Sequence, residues 1–228
     1  MEPTIIVERR PTSVQFFFDP QCPFAYQTSL WIRDVASQNG ITVDWRFFSL
    51  QMVNHNEDEP YPWELQWAGG WSLMRVGAWL RQLDPNLLDG WYAAIGKAIH
   101  EEGRPAYELS IAQQIIEEQG LPDDAIEQAL ADPFTSEMVW NDHEWLVSTH
   151  GGFGVPTLVF PWGQALYGPV VAPAPSGEEA LDLWNLVLAY TRIPHLYELK
   201  VPKSEVDMAR LREVFSPTSR AREAALSR

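Results

Sequence analysis

The chemistry-bearing residues of this chain centre on its only cysteine, Cys22, in the run Phe17-Phe18-Asp19-Pro20-Gln21-Cys22-Pro23-Phe24-Ala25. A strand-like stretch leads into a short turn. Cys22 follows, and then a proline suited to the first turn of a helix. A thiol at a helix N-terminus sits beside unpaired backbone N–H groups and the positive end of the helix dipole. Both favour thiolate over thiol, so the sequence predicts a reactive Cys22 with a depressed pKa. Three residues further on, where a resolving cysteine would stand, is Ala25. Redox chemistry at this position is therefore one-cysteine chemistry.

A second pattern with chemical content is Gly154-Val155-Pro156-Thr157, at the entrance to an apolar stretch. A proline entering a strand has no ladder donor to give. The five histidines, His55, His100, His143, His150 and His195, do not show metal-ligand spacing and read as surface or capping residues. No Gly-x-Ser-x-Gly elbow and no glycine-rich nucleotide loop is present.

The elements that must position Cys22 are legible around it. Val14–Phe18 and Ile41–Ser49 read as strands, and the helix between them stops near Asn39-Gly40. From about Trp63 to Trp145 the periodicity is helical, with Leu88, Trp91, Tyr92, Ile95 and Ile99 at three- and four-residue spacing. Gly103-Arg104-Pro105 and Gly120-Leu121-Pro122 break this block into four or five helices. Trp63, Trp67, Trp71 and Trp79 read as one aromatic helix face or as a wall for a flat ligand. Strands return at Pro156–Phe160 and Gln164–Tyr167. A further helix opens at Ser176, with Glu179 completing a capping box. The tail after Val201 reads as helical or disordered.

The order β-α-β, helices, β-β-α implies an α/β fold: a thioredoxin-like sheet with an inserted all-helical domain. The expected units are a discontinuous thioredoxin-like domain of residues 1–56 and 150–200, a helical insertion over 57–149, and a tail over 201–228. The chain has 228 residues, enough for a full core. Its formal net charge of −15 argues against nucleic-acid partners, and no apolar run is long enough for a membrane span. The opening residues lack the order of a secretory signal. With a lone cysteine, the expectation is a reducing cytoplasm. Oligomeric state is left open.

The cysteine run resembles the DsbA-like branch of the thioredoxin superfamily, whose usual active site is Cys-Pro-x-Cys. More narrowly, the chain is similar to the actinobacterial mycothiol-dependent nitroreductase group. Phe48-Ser49-Leu50 leading to Asn54-His55-Asn56, Ala94-Ile95-Gly96 leading to Ile99-His100, Gly154-Val155-Pro156-Thr157 and Ile193 through Lys200 carry that likeness. It implies a thiol-dependent oxidoreductase in which Cys22 is the nucleophile and mycothiol or a similar low-molecular-weight thiol is the cosubstrate. Its second substrate would be a small molecule or a disulfide, and neither a bound cofactor nor a metal is expected. Pro23, Phe24, Asn54, Val155 and Pro156 would surround the thiol, with Pro156 cis and facing Cys22. Phe24 stands where the group usually has tryptophan, and Ala25 where it has the second cysteine. The alternatives are a transferase or isomerase similar to the kappa-class glutathione enzymes, and a redox-inactive binding protein on the same fold.

Overall fold

The computed structural model describes residues 10–226. The opening nine residues and the last two of the expected units lie outside them. Strand β1 (Ser13–Phe18) leads through the cysteine turn into α1 (Pro23–Asn39), and β2 (Thr42–Phe47) follows. Gly40 ends α1 in the left-handed region, φ 64°, with its N–H on the Ala36 carbonyl, as a C-terminal glycine does. Next come α2 (Leu50–Val53), a 3-10 turn at Pro62–Glu64, α3 (Gly70–Leu83) and α4 (Pro85–Lys97). A π-helical turn, Ala98–Glu102, extends α4. The chain continues through α5 (Leu109–Glu118), α6 (Ala125–Ala131) and α7 (Pro133–His150). The hairpin β3 (Thr157–Val159) and β4 (Ala165–Tyr167), then α8 (Gly177–Tyr190) and α9 (Glu205–Leu226), complete it.

The sheet has the order β2-β1-β3-β4. β1 runs parallel to β2, with Phe16 opposite Trp45, and antiparallel to β3, with Phe16 opposite Leu158. Alternate side chains of a strand face opposite ways, so β1 serves two layers at once. Phe18 stacks on Tyr92 of α4, and Phe17 stacks on Trp145 of α7. On α1, Trp31 is fully buried against Trp184 of α8, and its indole N–H donates to the Ala180 carbonyl. A second apolar cluster joins α3 to α6 through Leu73, Val76, Ile95, Ile116 and Ile126.

Buried polar groups tie the helices to the sheet. Asp142 of α7 pairs with Arg46 and Arg81 and accepts the Phe47 N–H, so one carboxylate joins β2, α3 and α7. Arg75 of α3 donates to the carbonyls of Ala129, Leu130 and Asp132, putting a cation on the C-terminus of α6. Gly96 lets α4 touch α1: a Cβ there would lie 2.3 Å from the Tyr26 ring.

Three sequence expectations need correction. The four tryptophans do not share a helix face: Trp63 lies in the 3-10 turn and is 42% exposed, Trp67 precedes α3, and Trp71 is buried within it. Ser176 takes the N-cap conformation without a side-chain cap bond, and the Asp34 carboxylate reaches across from α1 to accept the Gly177 N–H at 2.7 Å. His100 and His143 are buried rather than at the surface, where burial pushes each pKa down to about 4.

Candidate active site

The site grows out of the end of β1. Asp19, 1% exposed, accepts the Gln21 N–H with Oδ1 at 2.8 Å and the Leu50 N–H with Oδ2 at 2.7 Å. One side chain thus shapes the cysteine turn and fastens it to the start of α2. Burial pushes the Asp19 carboxyl up to about 6, against the two backbone hydrogen bonds and the charge of Arg222.

Cys22 is the N-cap of α1, with Pro23 in the first turn, and its Sγ accepts the Ala25 N–H at 3.4 Å. Its S–H points to the Val155 carbonyl at 3.6 Å. The Val155–Pro156 peptide bond is cis, and both residues are buried. The sheet register thereby sets the proline loop directly opposite the thiol. Thr157 Oγ1 donates to the Gly154 carbonyl at 2.8 Å and holds the loop's shape.

The expected depression of the thiol pKa is not found. Burial pushes Cys22 up to about 11; the Ala25 N–H opposes this and the Asp19 charge adds to it. Cys22 is only 7% exposed, and one backbone N–H with a helix terminus does not repay the thiolate's lost hydration. In this arrangement the group is a protonated, sheltered thiol.

Of the residues expected around the thiol, Pro23, Val155 and Pro156 lie at Cys22, and Phe24 faces α9, its ring edge-on to Phe215 at 4.7 Å. Asn54 caps the C-terminus of α2 at the surface, its Nδ2 committed to the Leu50 carbonyl at 2.7 Å. It reaches the cysteine turn only through Leu50 and Asp19. An aromatic run begins beside it: His55 stacks on Tyr61, Tyr61 on Trp63, and Trp63 meets Trp140 edge-on. Tyr61, Trp63 and Trp140 remain 37% to 42% exposed.

Residues far from the cysteine run also hold the loop. His100 bridges the Pro20 carbonyl and Thr218 Oγ1, each at 2.9 Å. A carbonyl only accepts, so Nε2 carries the proton and Nδ1 takes the Thr218 hydroxyl. Arg222 donates to the Gln21 carbonyl at 3.2 Å. The Thr218 and Arg222 contacts come from α9, 118 and 201 positions from their partners, so no spacing announces them. A cavity of about 360 Å³ lies at the other end of β1, lined by Ser13, Gln15, Asp44 and Trp145, and takes no part in the thiol site. Among the described residues no group of three or more His, Cys, Asp or Glu is placed to hold a metal, and no helix is long and apolar enough to cross a membrane.

The family described as mycothiol-dependent nitroreductase Rv2466c matches residues 21–201. The uncharacterized protein Rv2286c of Mycobacterium tuberculosis strain H37Rv is 47% identical over 206 residues, covering 90% of this chain and 89% of that one. Among solved structures, a 2-hydroxychromene-2-carboxylate isomerase superposes with a TM-score of 0.57 at 18% identity, covering 79% of this chain and 95% of that one. The cytosolic disulfide reductase DsbM of Pseudomonas aeruginosa, with glutathione, gives 0.56 at 16% identity, covering 77% and 98%. These two likenesses speak for the fold. The chain belongs to the Rv2466c-like family, and is a thiol-dependent oxidoreductase on a DsbA-like thioredoxin fold with a helical insertion.

Proposed function

We propose that the protein is a monothiol reductase in which Cys22 forms a mixed disulfide with a low-molecular-weight thiol, mycothiol or a close analogue, that supplies the reducing equivalents. The observation that carries this reading is the placement of a single thiol at a helix N-terminus opposite the Val155–Pro156 loop, with no second cysteine in the chain.

The steps follow from thiol–disulfide exchange. The Cys22 S–H gives its proton to solvent. The thiolate attacks the low-molecular-weight thiol's sulfur in a mixed disulfide of that thiol with the substrate, that S–S bond breaks, and the departing substrate thiolate takes up a proton. Cys22 is then joined to the remaining half. A molecule of the low-molecular-weight thiol ionises and attacks the sulfur attached to Cys22, which releases Cys22 as thiolate and a new disulfide as product. One thiol is consumed and one disulfide is exchanged, so the cycle needs no protein thiol at position 25.

The neighbours have matching tasks in this reading. Once Cys22 has lost its proton, the Val155 carbonyl is free to accept an N–H from the bound thiol. The Ala25 N–H remains on the sulfur as a donor to the thiolate. Pro23 and Pro156 flank the sulfur, and Phe24 closes the side toward α9. The half-exposed Tyr61, Trp63 and Trp140 form a wall suited to a flat small molecule, and Asn54 lies on the same rim. A lone thiol with no disulfide partner suits a protein that works in a reducing cytoplasm.

The test is thiol-dependent reduction of a small disulfide by the full chain and by Cys22→Ser. A loss of at least about 10³-fold is expected on removing the nucleophile. Activity retained in Cys22→Ser would refute the scheme. A conjugated or isomerised product in place of a reduced one would move the reading to a transferase or isomerase similar to the kappa-class enzymes.

A further inference from the structure

The family match ends at residue 201, before α9 begins at Glu205, yet the second half of α9 is fastened to the cysteine loop. It makes contact at three points. The Phe215 ring packs edge-on against Phe24. The Thr218 hydroxyl donates to His100, whose Nε2–H holds the Pro20 carbonyl. The Arg222 guanidinium donates to the Gln21 carbonyl, one residue before Cys22. Ala221 is fully buried in the helical cluster, and Gly103 lets the chain pass the Pro217 carbonyl, which a Cβ there would meet at 3.2 Å. Helix α9 is therefore docked along the loop from Pro20 to Phe24.

We propose that α9 is a wall of the active site and that Arg222 is a positioning residue for the thiol reaction, fixing the Gln21 carbonyl and setting its positive charge over the loop where the Cys22 thiolate develops. This inference rests on the Cys22 chemistry above.

The electrostatics of the loop give Arg222 that task. Asp19 in the turn, Tyr167 on β4 and Tyr92 on α4 all interact with Cys22 as acids, while His100 beside the turn is neutral near pH 7. Arg222 is the cation whose field is felt at Cys22, and it acts on Asp19 as well, lowering both pKa values. A thiolate formed beside the buried Asp19 would otherwise face a like charge as Asp19 ionises. The charge required is positive, and the hydrogen bond to Gln21 aims it. Lysine at 222 would keep the charge and lose the planar fork.

The experiment is the rate of Cys22 alkylation by iodoacetamide from pH 6 to 11, in the full chain, for the wild type, Arg222→Lys and Arg222→Gln. Arg222 is exposed, so these variants retain the fold, checked by thermal midpoint. Arg222→Gln is expected to move the profile to higher pH, slowing alkylation near pH 7.5 by about 5- to 10-fold, since one pKa unit is tenfold in thiolate. Both profiles rise with pH in parallel up to pH 11, and Arg222→Lys recovers most of the loss. Identical profiles in wild type and Arg222→Gln would overturn the proposal. Equal shifts in the Gln and Lys variants would overturn it too, because charge would then not be the cause. Alkylation in none of the three chains at any pH would instead remove the Cys22 reading on which it rests, and the proposal with it.

Discussion

The cysteine loop is held on two sides that are built differently. On the sheet side the contacts are buried and mostly made by backbone: Asp19 on the N–H groups of Gln21 and Leu50, Val155 and Pro156 against Cys22, and β1 locked between β2 and β3. On the α9 side they are made by side chains of a helix whose first half is exposed and which carries an internal proline, Pro217. The sheet side is inseparable from folding. The α9 side can be altered while the core stands, which makes it the side on which reactivity can be tuned.

The contrast yields graded expectations. Phe47→Ala, deep under the sheet, should cost about 3–5 kcal/mol in denaturant unfolding. A cost below about 1 kcal/mol would remove the distinction between the two sides.

Acid should act through His100, at the junction with α9. Its folded pKa of about 4 lies below the ordinary 6.5, so the unfolded chain binds the proton first. The stability of its neutral form is complete above pH 6.5 and is lost as pH falls toward 4, a loss of about 3 kcal/mol. Asp19 works in the opposite direction, because its folded pKa of about 6 lies above 3.8 and the folded chain takes that proton first. Its contribution therefore grows as pH falls through 6. Unfolding free energies at pH 7 and 4.5 should show a smaller acid loss in His100→Gln than in the wild type. Equal slopes would show that His100 does not titrate in this window.

Thr218→Val keeps the shape of the side chain and leaves His100 Nδ1 without its donor. It should lower stability by about 1–2 kcal/mol. Smaller still, Phe215→Ala removes one edge-on aromatic contact worth about 0.5–1.5 kcal/mol. It should speed Cys22 alkylation at high pH by opening the loop. If Phe215→Ala destabilised the chain as much as Phe47→Ala, α9 would belong to the core.

The contrast also marks what could be read from sequence. β1, α1, β2, the helical block and the β3–β4 hairpin are announced by local periodicity and by glycine and proline punctuation. The Cys22–Pro23 and Val155–Pro156 pairs are announced by residue type. Their meeting requires only that β3 begin where its antiparallel neighbour β1 ends. The α9 contacts have no such signal, since Thr218 and His100 are 118 positions apart, and Arg222 and Gln21 are 201 apart. The thiol's ionisation departs from its local sequence signal for a related reason. The helix N-terminus is a local feature, whereas the burial that outweighs it arises only in the folded chain, where the Val155 carbonyl, 133 positions away, meets the thiol. At the start of α8, too, a distant group acts: Asp34 reaches in from α1 to accept the Gly177 N–H.

The central claim is tested most directly by incubating the full chain with oxidised mycothiol, oxidised glutathione and a neutral disulfide, and recording intact mass. The account predicts a single adduct of one thiol, located at Cys22, formed most readily with mycothiol and reversed by excess thiol. An unmodified mass under all three conditions, in chain that remains folded, would contradict it.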